Sequence, residues 1–372
     1  MDSRQRVLLT LDHREADRVP VDYWASSQFT TRLQAHLGAA NQEELLRLLG
    51  VDSRYVQGPS LAGLELRQRE DGLVEDLWGV GRRTVTVDGP HYSWTYKEVA
   101  VSPLAGVTTV AEVDGYPRWP SPDWWDYSHV AEECARHPGY AVVLAGDRLD
   151  RTCQLKTACY LRGMEQFLID LVLDPALAEA ILRHIVEYHL EYGRRVFEAA
   201  QGRADIFMMG DDFGTQTGLM VSRDLWRRYF RAGFRQFIDL AHKYGLKVMH
   251  HTCGAVRELI PEFIDAGLDI LQSLQPRAAG MDLAELKREF GRHICFHGSI
   301  DIQQTLPYGT PREIEAEVAA RMAAGKPGGG FIISTAHDIL PDVSLANVIA
   351  LFESYRKYGN YVAVADRVAG QA

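Results

Sequence analysis

The stretch LKVMHHTCGAVRELIPEFIDAGLDILQSLQP, residues 246–276, contains a complete strand–helix–strand pattern. Apolar runs of strand length lie at 246–249 and 269–274, and a helical pattern at 255–266 separates them. Two strands joined through a helix pair in parallel, because the helix carries the chain back to the starting edge of the sheet. This stretch therefore favours an α/β fold with a parallel sheet.

The same alternation extends in both directions from this stretch. Further strand-length runs lie at 141–145, 206–209, 293–297 and 331–334. Helical patterns occupy the gaps at about 163–200, 222–244, 282–290, 311–324 and 344–358. In the segment 222–244, Ser222 is a suitable N-cap and Gly245 a suitable end, with apolar residues on one face between them. Alternation at this spacing predicts a parallel sheet built from repeated strand–helix units.

Two parallel-sheet folds compete, the open doubly wound sheet and the closed eight-stranded barrel. The sequence has no GxGxxG opening a helix and no GxxxxGK[ST], which argues against a nucleotide-binding open sheet. Polar residues instead follow several strands, as GDDFGTQ (210–216), HHTCG (250–254), QPR (275–277), GSID (298–301) and TAHD (335–338). Barrel active sites are built at these strand ends. We therefore predict a single (β/α)₈ TIM barrel.

The N-terminal third departs from the alternation. Residues 76–102 predict an antiparallel hairpin turning around Asp88-Gly89, and residues 121–127 (SPDWWDY) form an aromatic loop. No Ser/Gly/Pro-rich linker separates these features from the rest of the chain. We expect one domain over 1–372, with an N-terminal extension and the β-hairpin insertion as decorations within 1–130.

Composition excludes several classes of protein. The chain has 372 residues, 46% of them hydrophobic, which is enough for a sizeable core. Its formal charge of -10 argues against a nucleic-acid binder, and no run of about 18 apolar residues predicts a membrane span. Five scattered cysteines without a CxxC or a secretion signal argue against a disulfide framework. We expect a cytoplasmic protein.

The polar residues that follow the strand at 246–249 have the spacing of metal ligands. His251 and Cys253 project to the same side of an extended chain, while His250 points to the other side. Imidazole and thiolate together favour zinc, and Gly254 lets the chain turn tightly after them. Two ligands need a third from another strand end, for which His337 is the leading candidate. The alternative is a buried thiol beside a hydrogen-bonded histidine, with no metal.

Other strand-end residues are candidates with structural alternatives. Asp211 and Asp212 could bind a metal, orient a ligating histidine or cap a helix. Asp301 and Gln275 could contact substrate or cap a helix. Cys295 and His297, within a strand, are expected to be packing residues.

Several segments together resemble the uroporphyrinogen decarboxylase superfamily. They are RVLLTLDHREADRVPVDYW (6–24), GDDFGTQTGLMVS (210–222), residues 250–276, GSIDIQQTLPYGTPREI (298–314) and GGGFIISTAHDILPDVSLANVIALFESY (328–355). The resemblance implies a (β/α)₈ barrel with one of two chemistries. Some members are metal-free porphyrinogen decarboxylases, and others are zinc-dependent methyltransferases that exchange methyl groups between corrinoid proteins and thiols or other acceptors.

The resemblance also distinguishes the two chemistries. Decarboxylases carry an RQAGR-type stretch after the first strand, whereas this chain has PVDYWASSQFTTRL (20–33), with Arg32 as its single arginine. Methyltransferases use an HxC motif and a later cysteine as zinc ligands. His251-Thr252-Cys253 matches the motif, but STAHD, with His337, replaces the later cysteine.

The resemblance thus implies a zinc-dependent methyltransferase that acts on a small methyl donor or acceptor with a separate corrinoid protein, since no DxHxxG segment is present. Asp211, Asp212 and Asp301 are its expected catalytic residues and Gln275 its substrate contact. A homodimer is kept as an option. A lyase of a polycarboxylated porphyrinogen-like substrate and a non-catalytic binding barrel are the alternatives.

Overall fold

The computed structural model describes residues 1–89, 92–145 and 151–361. The α-helices among them are α1 (Ser3–Leu11), α2 (Ser27–Leu37), α3 (Gln42–Leu49), α4 (Val110–Asp114), α5 (Val130–Ala135), α6 (Leu155–Arg162), α7 (Met164–Leu173), α8 (Pro175–Ala200), α9 (Arg223–Tyr229), α10 (Arg231–Lys243), α11 (Ile260–Asp265), α12 (Leu283–Phe290), α13 (Thr305–Tyr308), α14 (Pro311–Gly325) and α15 (Leu345–Gly359). The strands are β1 (Ser53–Val56), β2 (Ser60–Leu61), β3 (Val74–Glu75), β4 (Gly81–Gly89), β5 (Tyr92–Val101), β6 (Trp125–Asp126), β7 (Ala141–Leu144), β8 (Ile206–Gly210), β9 (Lys247–His251), β10 (Ile270–Leu274), β11 (Cys295–Ile300) and β12 (Phe331–Thr335).

Seven strands form the main sheet, in the order β1-β7-β8-β9-β10-β11-β12. The pairs β7–β8, β8–β9, β10–β11 and β11–β12 are parallel. Every residue of β7, β10, β11 and β12 is buried, which explains why these strands read as continuous apolar runs in the sequence. All six predicted strands are confirmed, whereas β1 was not predicted. The α/β fold is of the TIM-barrel type, as expected.

The segment before α2 extends the sheet beside β12 without forming a regular strand. Val21 makes a parallel bridge with Ile333, and the Ile333 N–H donates to the carbonyl of Pro20. On the other side, the N–H of Asp52, which precedes β1, donates to the carbonyl of Val21. The buried Asp52 carboxylate also pairs with Arg6 at 2.7 Å. This segment therefore occupies the place of an eighth strand.

By packing, the described chain divides into two compact units. Unit 1 contains Met1–Arg54, Gly139–Ala141 and the chain from Asp269 onward, and carries β10, β11 and β12. Unit 2 contains Tyr55–Pro138 and Val142–Leu268, and carries β8 and β9 together with the hairpin.

The predicted hairpin insertion is confirmed within unit 2. β4 and β5 are antiparallel, with Asp88 opposite Ser93 and Gly89 opposite Tyr92. The tip residues, Pro90 and His91, lie outside the described residues. The small ribbon of β2 and β6 pairs Leu61 with Trp125, so part of the aromatic loop at 121–127 is in fact a short strand.

Two helical segments that the periodicity predicts as continuous are interrupted. The segment 222–244 breaks at Phe230, a fully buried residue between α9 and α10. Ser222 is the predicted N-cap, accepting from the Leu225 N–H. The segment 163–200 breaks at Asp174, because Pro175 cannot continue a preceding helix and instead starts α8.

No helix within residues 1–89, 92–145 and 151–361 combines the length and apolarity needed to cross a membrane. None of the five cysteines, all of which lie in the described residues, takes part in a disulfide bond.

Candidate metal centre

Alternation along β9 separates its two terminal histidines. The His250 ring is buried among the rings of Phe213, Phe234 and Phe263, with centroids 4.9 to 5.9 Å away. Burial lowers the pKa of His250 to about 3, so the ring is neutral near pH 7. His250 is therefore a packing residue, as its predicted orientation implies.

His251 and Cys253 point to the same side and lie close together. The Cys253 Sγ is 3.5 Å from the Nε2 of His251. Asp212 joins them, because its Oδ1 accepts the Cys253 backbone N–H at 2.9 Å and lies 3.7 Å from His251 Nε2. Burial raises the pKa of Asp212, but the His251 charge and the Cys253 N–H outweigh it and the net pKa is lowered. Asp212 thus holds the Cys253 backbone and faces the imidazole.

Gly254 allows the Cys253 loop to lie directly against residues 214–215. Its φ is +84°, in the left-handed region. A Cβ at this position would lie 2.5 Å from the carbonyl carbon of Gly214 and the carbonyl oxygen of Thr215. Ala255 N–H donates to the same Thr215 oxygen at 2.7 Å. The predicted tight turn is confirmed, but α11 begins at Ile260 rather than near 256, after a 3₁₀ turn at Arg257–Leu259.

Asp211 is a helix cap. Its buried carboxylate accepts the backbone N–H groups of Gln154, Leu155 and Lys156 at 2.6 to 2.7 Å, at the start of α6. Burial raises the pKa of Asp211 to about 6, although these N–H groups and Lys156 oppose the shift. The sequence left three roles open for Asp211 and Asp212, namely metal binding, orientation of a histidine and helix capping. Asp211 caps a helix, but this helix is α6, which precedes Asp211 in the chain, and not the helix that follows it.

Asp301 and Gln275 lie at two strand ends of unit 1. Asp301 Oδ1 accepts the Gln303 N–H at 2.8 Å, and its Oδ2 accepts the Thr305 N–H at 3.1 Å, which caps α13. Arg277 Nη1 lies 3.6 Å from Asp301 Oδ2. Gln275 follows β10 directly. Their predicted contacts with substrate stay predictions.

His337 follows β12, where the sequence places the third ligand. Its Nδ1 accepts the Asp338 N–H at 2.7 Å and lies 3.7 Å from Asp338 Oδ2. His337 belongs to unit 1, whereas His251 and Cys253 belong to unit 2, so the third ligand stays a prediction.

The donor set fits zinc by distance as well as by chemistry. Tetrahedral zinc with bonds of about 2.3 Å to sulfur and about 2.0–2.1 Å to nitrogen places these two donors about 3.5 Å apart. The His251–Cys253 separation is 3.5 Å.

One buried polar pair was not recognised from the sequence. His297 Nε2 lies 2.8 Å from Asp22 Oδ2, and both side chains are almost completely buried. His297 was expected only to pack. Its partner is 275 residues away in the chain, so no local pattern could have indicated the pair.

Comparison with known proteins identifies the family. Residues 152–358, more than half of the chain, match the family described as uroporphyrinogen decarboxylase (URO-D). Uroporphyrinogen decarboxylases from Chlorobium phaeovibrioides and Chlorobium phaeobacteroides are 34% and 26% identical over 187 residues, covering 48% of this chain and 49% of each relative. The chain therefore belongs to the uroporphyrinogen decarboxylase family, although its matches span about half the length of these relatives.

A solved structure agrees with this assignment at the level of fold. A methyltransferase from Methanosarcina mazei superposes with a TM-score of 0.65 at 18% identity, covering 96% of this chain and 99% of that chain. At this identity the likeness shows a shared fold over nearly the whole chain.

Proposed function

We propose that the protein is a zinc-dependent methyltransferase that moves a methyl group between a separate corrinoid protein and a thiol, methyl ether or other small molecule. The observation that carries the proposal is the 3.5 Å separation of His251 Nε2 and Cys253 Sγ, which matches two neighbouring ligands of tetrahedral zinc. The proposed third ligand is His337. The decarboxylases of this superfamily need no metal, so a metal centre favours the methyltransferase chemistry.

Zinc with one open position would lower the pKa of a bound thiol or polarise a methyl ether oxygen. The chain's own residues position the ligands for this. Asp212 fixes the Cys253 backbone. Its negative charge would also stabilise the positive charge of a zinc ion held by the two imidazoles. Asp338 Oδ2 lies 3.7 Å from His337 Nδ1, and its negative charge would favour a metal ion held by this imidazole.

Decarboxylation is the second candidate, because the matched curated relatives are decarboxylases. The contacts of Arg32 argue against decarboxylation. Arg32 is the single arginine in the segment where decarboxylases carry several. Arg32 Nη1 donates to the Pro341 carbonyl at 2.9 Å, its Nη2 donates to the Val343 carbonyl, and the guanidinium lies over the Phe29 ring. Arg32 is thus occupied within unit 1, which does not favour a substrate with many carboxylates.

Metal analysis tests the proposal first. We expect about one zinc per chain by plasma mass spectrometry after anaerobic reconstitution, and much less in Cys253→Ala. Cys134→Ala is the matched control, since Cys134 is a buried thiol in α5 whose pKa burial raises to about 11. Equal zinc in all three proteins, or none in the wild type, would show that this site is wrong.

A reaction assay separates the two chemistries. Methyl transfer from free methylcobalamin to a simple thiol can be followed by the absorbance change of the corrinoid, and decarboxylation of uroporphyrinogen by chromatography of the oxidised products. Thiol methylation lost in Cys253→Ala supports the proposal. Decarboxylation that persists in this variant supports the alternative. Neither reaction, with no zinc bound, supports the non-catalytic barrel.

A further inference from the structure

Unit 2 contains a cavity that the proposed methyl transfer does not use. Its volume is about 400 Å³, within the range of small-molecule sites. Its walls come from the chain after β1, the insertion around β3 to β5, β6, and α8, and none of Asp212, His251 and Cys253 lines it. It is therefore a separate space rather than part of the metal centre.

Part of the cavity lining is apolar and aromatic. Leu61, Leu66, Trp125 and Tyr192 are among its lining residues. The Trp125 Nε1–H already donates to the Tyr188 hydroxyl at 3.0 Å, so the indole has no remaining donor and offers its apolar surface. Leu66 is 42% exposed, an apolar surface that a ligand would cover. These walls suit a flat hydrophobic body.

The charged groups in and beside the cavity lining are unequal in number. Asp76 and Arg82 neutralise each other, with an oxygen–nitrogen distance of 2.7 Å. Glu75 lines the cavity, and its carboxylate lies 3.6 Å from Arg69 Nη1 and 3.9 Å from Arg118 Nη2. Arg69 also pairs with Asp71 at 3.1 Å, but Arg82 beside Asp76 and Arg118 beside Glu75 still compensate the two lining carboxylates without a ligand.

Lys97 adds a cation that no carboxylate compensates. It projects from β5 into the lining of the cavity and makes no ion pair within the part of the chain that the structure describes. The local charge is therefore positive, so the chemistry of the site complements an anionic group attached to an apolar body.

We propose that this cavity binds an amphipathic organic anion, with the acidic group at Lys97 and a flat hydrophobic body against Trp125 and Tyr192. The site does not depend on the metal centre, and the proposal stands whether or not zinc is bound at His251 and Cys253.

Two fluorescent probes with the same ring system test the site in the full-length protein. 8-Anilinonaphthalene-1-sulfonate carries a sulfonate, and N-phenyl-1-naphthylamine lacks it. We expect the sulfonate to bind at one site per chain and several times more tightly than the neutral amine. Lys97→Met should weaken sulfonate binding about fivefold, equivalent to about 1 kcal/mol, and leave the neutral probe unchanged.

Two further variants locate the binding and control for surface adsorption. Leu66→Glu places a carboxylate in the wall and should weaken the sulfonate at least as much as Lys97→Met. Lys243→Met removes an exposed lysine that does not line the cavity and should have no effect. Thermal unfolding checks that each variant is folded. Equal affinity for both probes, unchanged affinity in Lys97→Met, or several equivalent sites that tolerate Leu66→Glu would each overturn the proposal.

Discussion

A buried histidine should make the protein acid-labile by a predictable amount. His189 lies in α8 with its ring packed against Trp78, Tyr188 and Phe237, and neither ring nitrogen has a hydrogen-bond partner among the described residues. Burial, with a smaller effect of Lys156, lowers its pKa to about 3. The protein therefore has to fold with this ring uncharged.

The sign follows from proton binding in the two states. An unfolded histidine has a pKa of about 6.5, so between pH 6.5 and pH 3 the unfolded chain binds a proton that the folded chain excludes. Stability is thus complete above pH 6.5 and lost as the pH falls below it. At pH 5, about 1.5 pH units below the unfolded pKa, the loss from this residue is about 2 kcal/mol.

His189→Phe should remove this dependence, because phenylalanine keeps a ring in the same space and does not titrate. Urea unfolding followed by tryptophan fluorescence at pH 7.5 and pH 5 measures the change in unfolding free energy. The wild type should lose about 2 kcal/mol more than the variant between the two pH values. His36→Gln, at an exposed position of α2, is the control and should follow the wild type. Identical losses in the wild type and His189→Phe would show that His189 does not set this pH dependence.

Three substitutions around the candidate metal centre have distinct expected effects. Gly254→Ala puts a side chain at φ +84° and against the backbone of residues 214–215. It should therefore destabilise the protein by more than about 1 kcal/mol in urea unfolding and lower its zinc content. Unchanged stability would contradict the close contact at Gly254. Asp211→Ala leaves three backbone N–H groups at the start of α6 without their acceptor. The free energy of unfolding in urea should fall by about 3 kcal/mol. A fall of less than about 1 kcal/mol would count against the capping role. Asp212→Asn keeps the shape of the side chain but removes the charge that faces His251. The affinity for zinc, measured in competition with a chelator, should fall about 10-fold to 100-fold, and the stability of the protein should be retained. Unchanged affinity would argue against a positioning role for Asp212.

The strand positions were predictable from the sequence because β7 to β12 are buried parallel strands, whose apolar runs stand out against amphipathic helices. β1 was missed because SRYV, with Arg54 in its middle, does not form such a run. Arg54 is nevertheless buried, since Glu43 accepts from its guanidinium and the ring of Tyr140 lies beneath it. Its partners lie elsewhere in the chain, so no local pattern indicates the strand.

The candidate site also contains residues whose arrangement was predictable from the sequence and residues whose roles were not. His251, Cys253 and Gly254 are neighbours in sequence, and strand alternation with the conformational freedom of glycine was enough to predict their arrangement. The different roles of Asp211 and Asp212 were not predictable. One carboxylate caps a helix that begins more than 50 residues earlier and the other contacts a loop about 40 residues later, which only the tertiary structure can reveal.

The contacts of the Cys253 loop bear on what a metal would do here. The loop is held by Asp212 on the Cys253 N–H, by the Phe213 N–H donating to the Thr252 hydroxyl, and by the close approach of Gly254 to Thr215. Each of these contacts is made by protein groups alone. Zinc that organises an otherwise unfolded domain lacks such support, and its binding energy is folding energy. In this loop the two proposed ligands are already placed by the fold, so the binding energy of zinc would be available to orient and activate a substrate rather than to assemble the site.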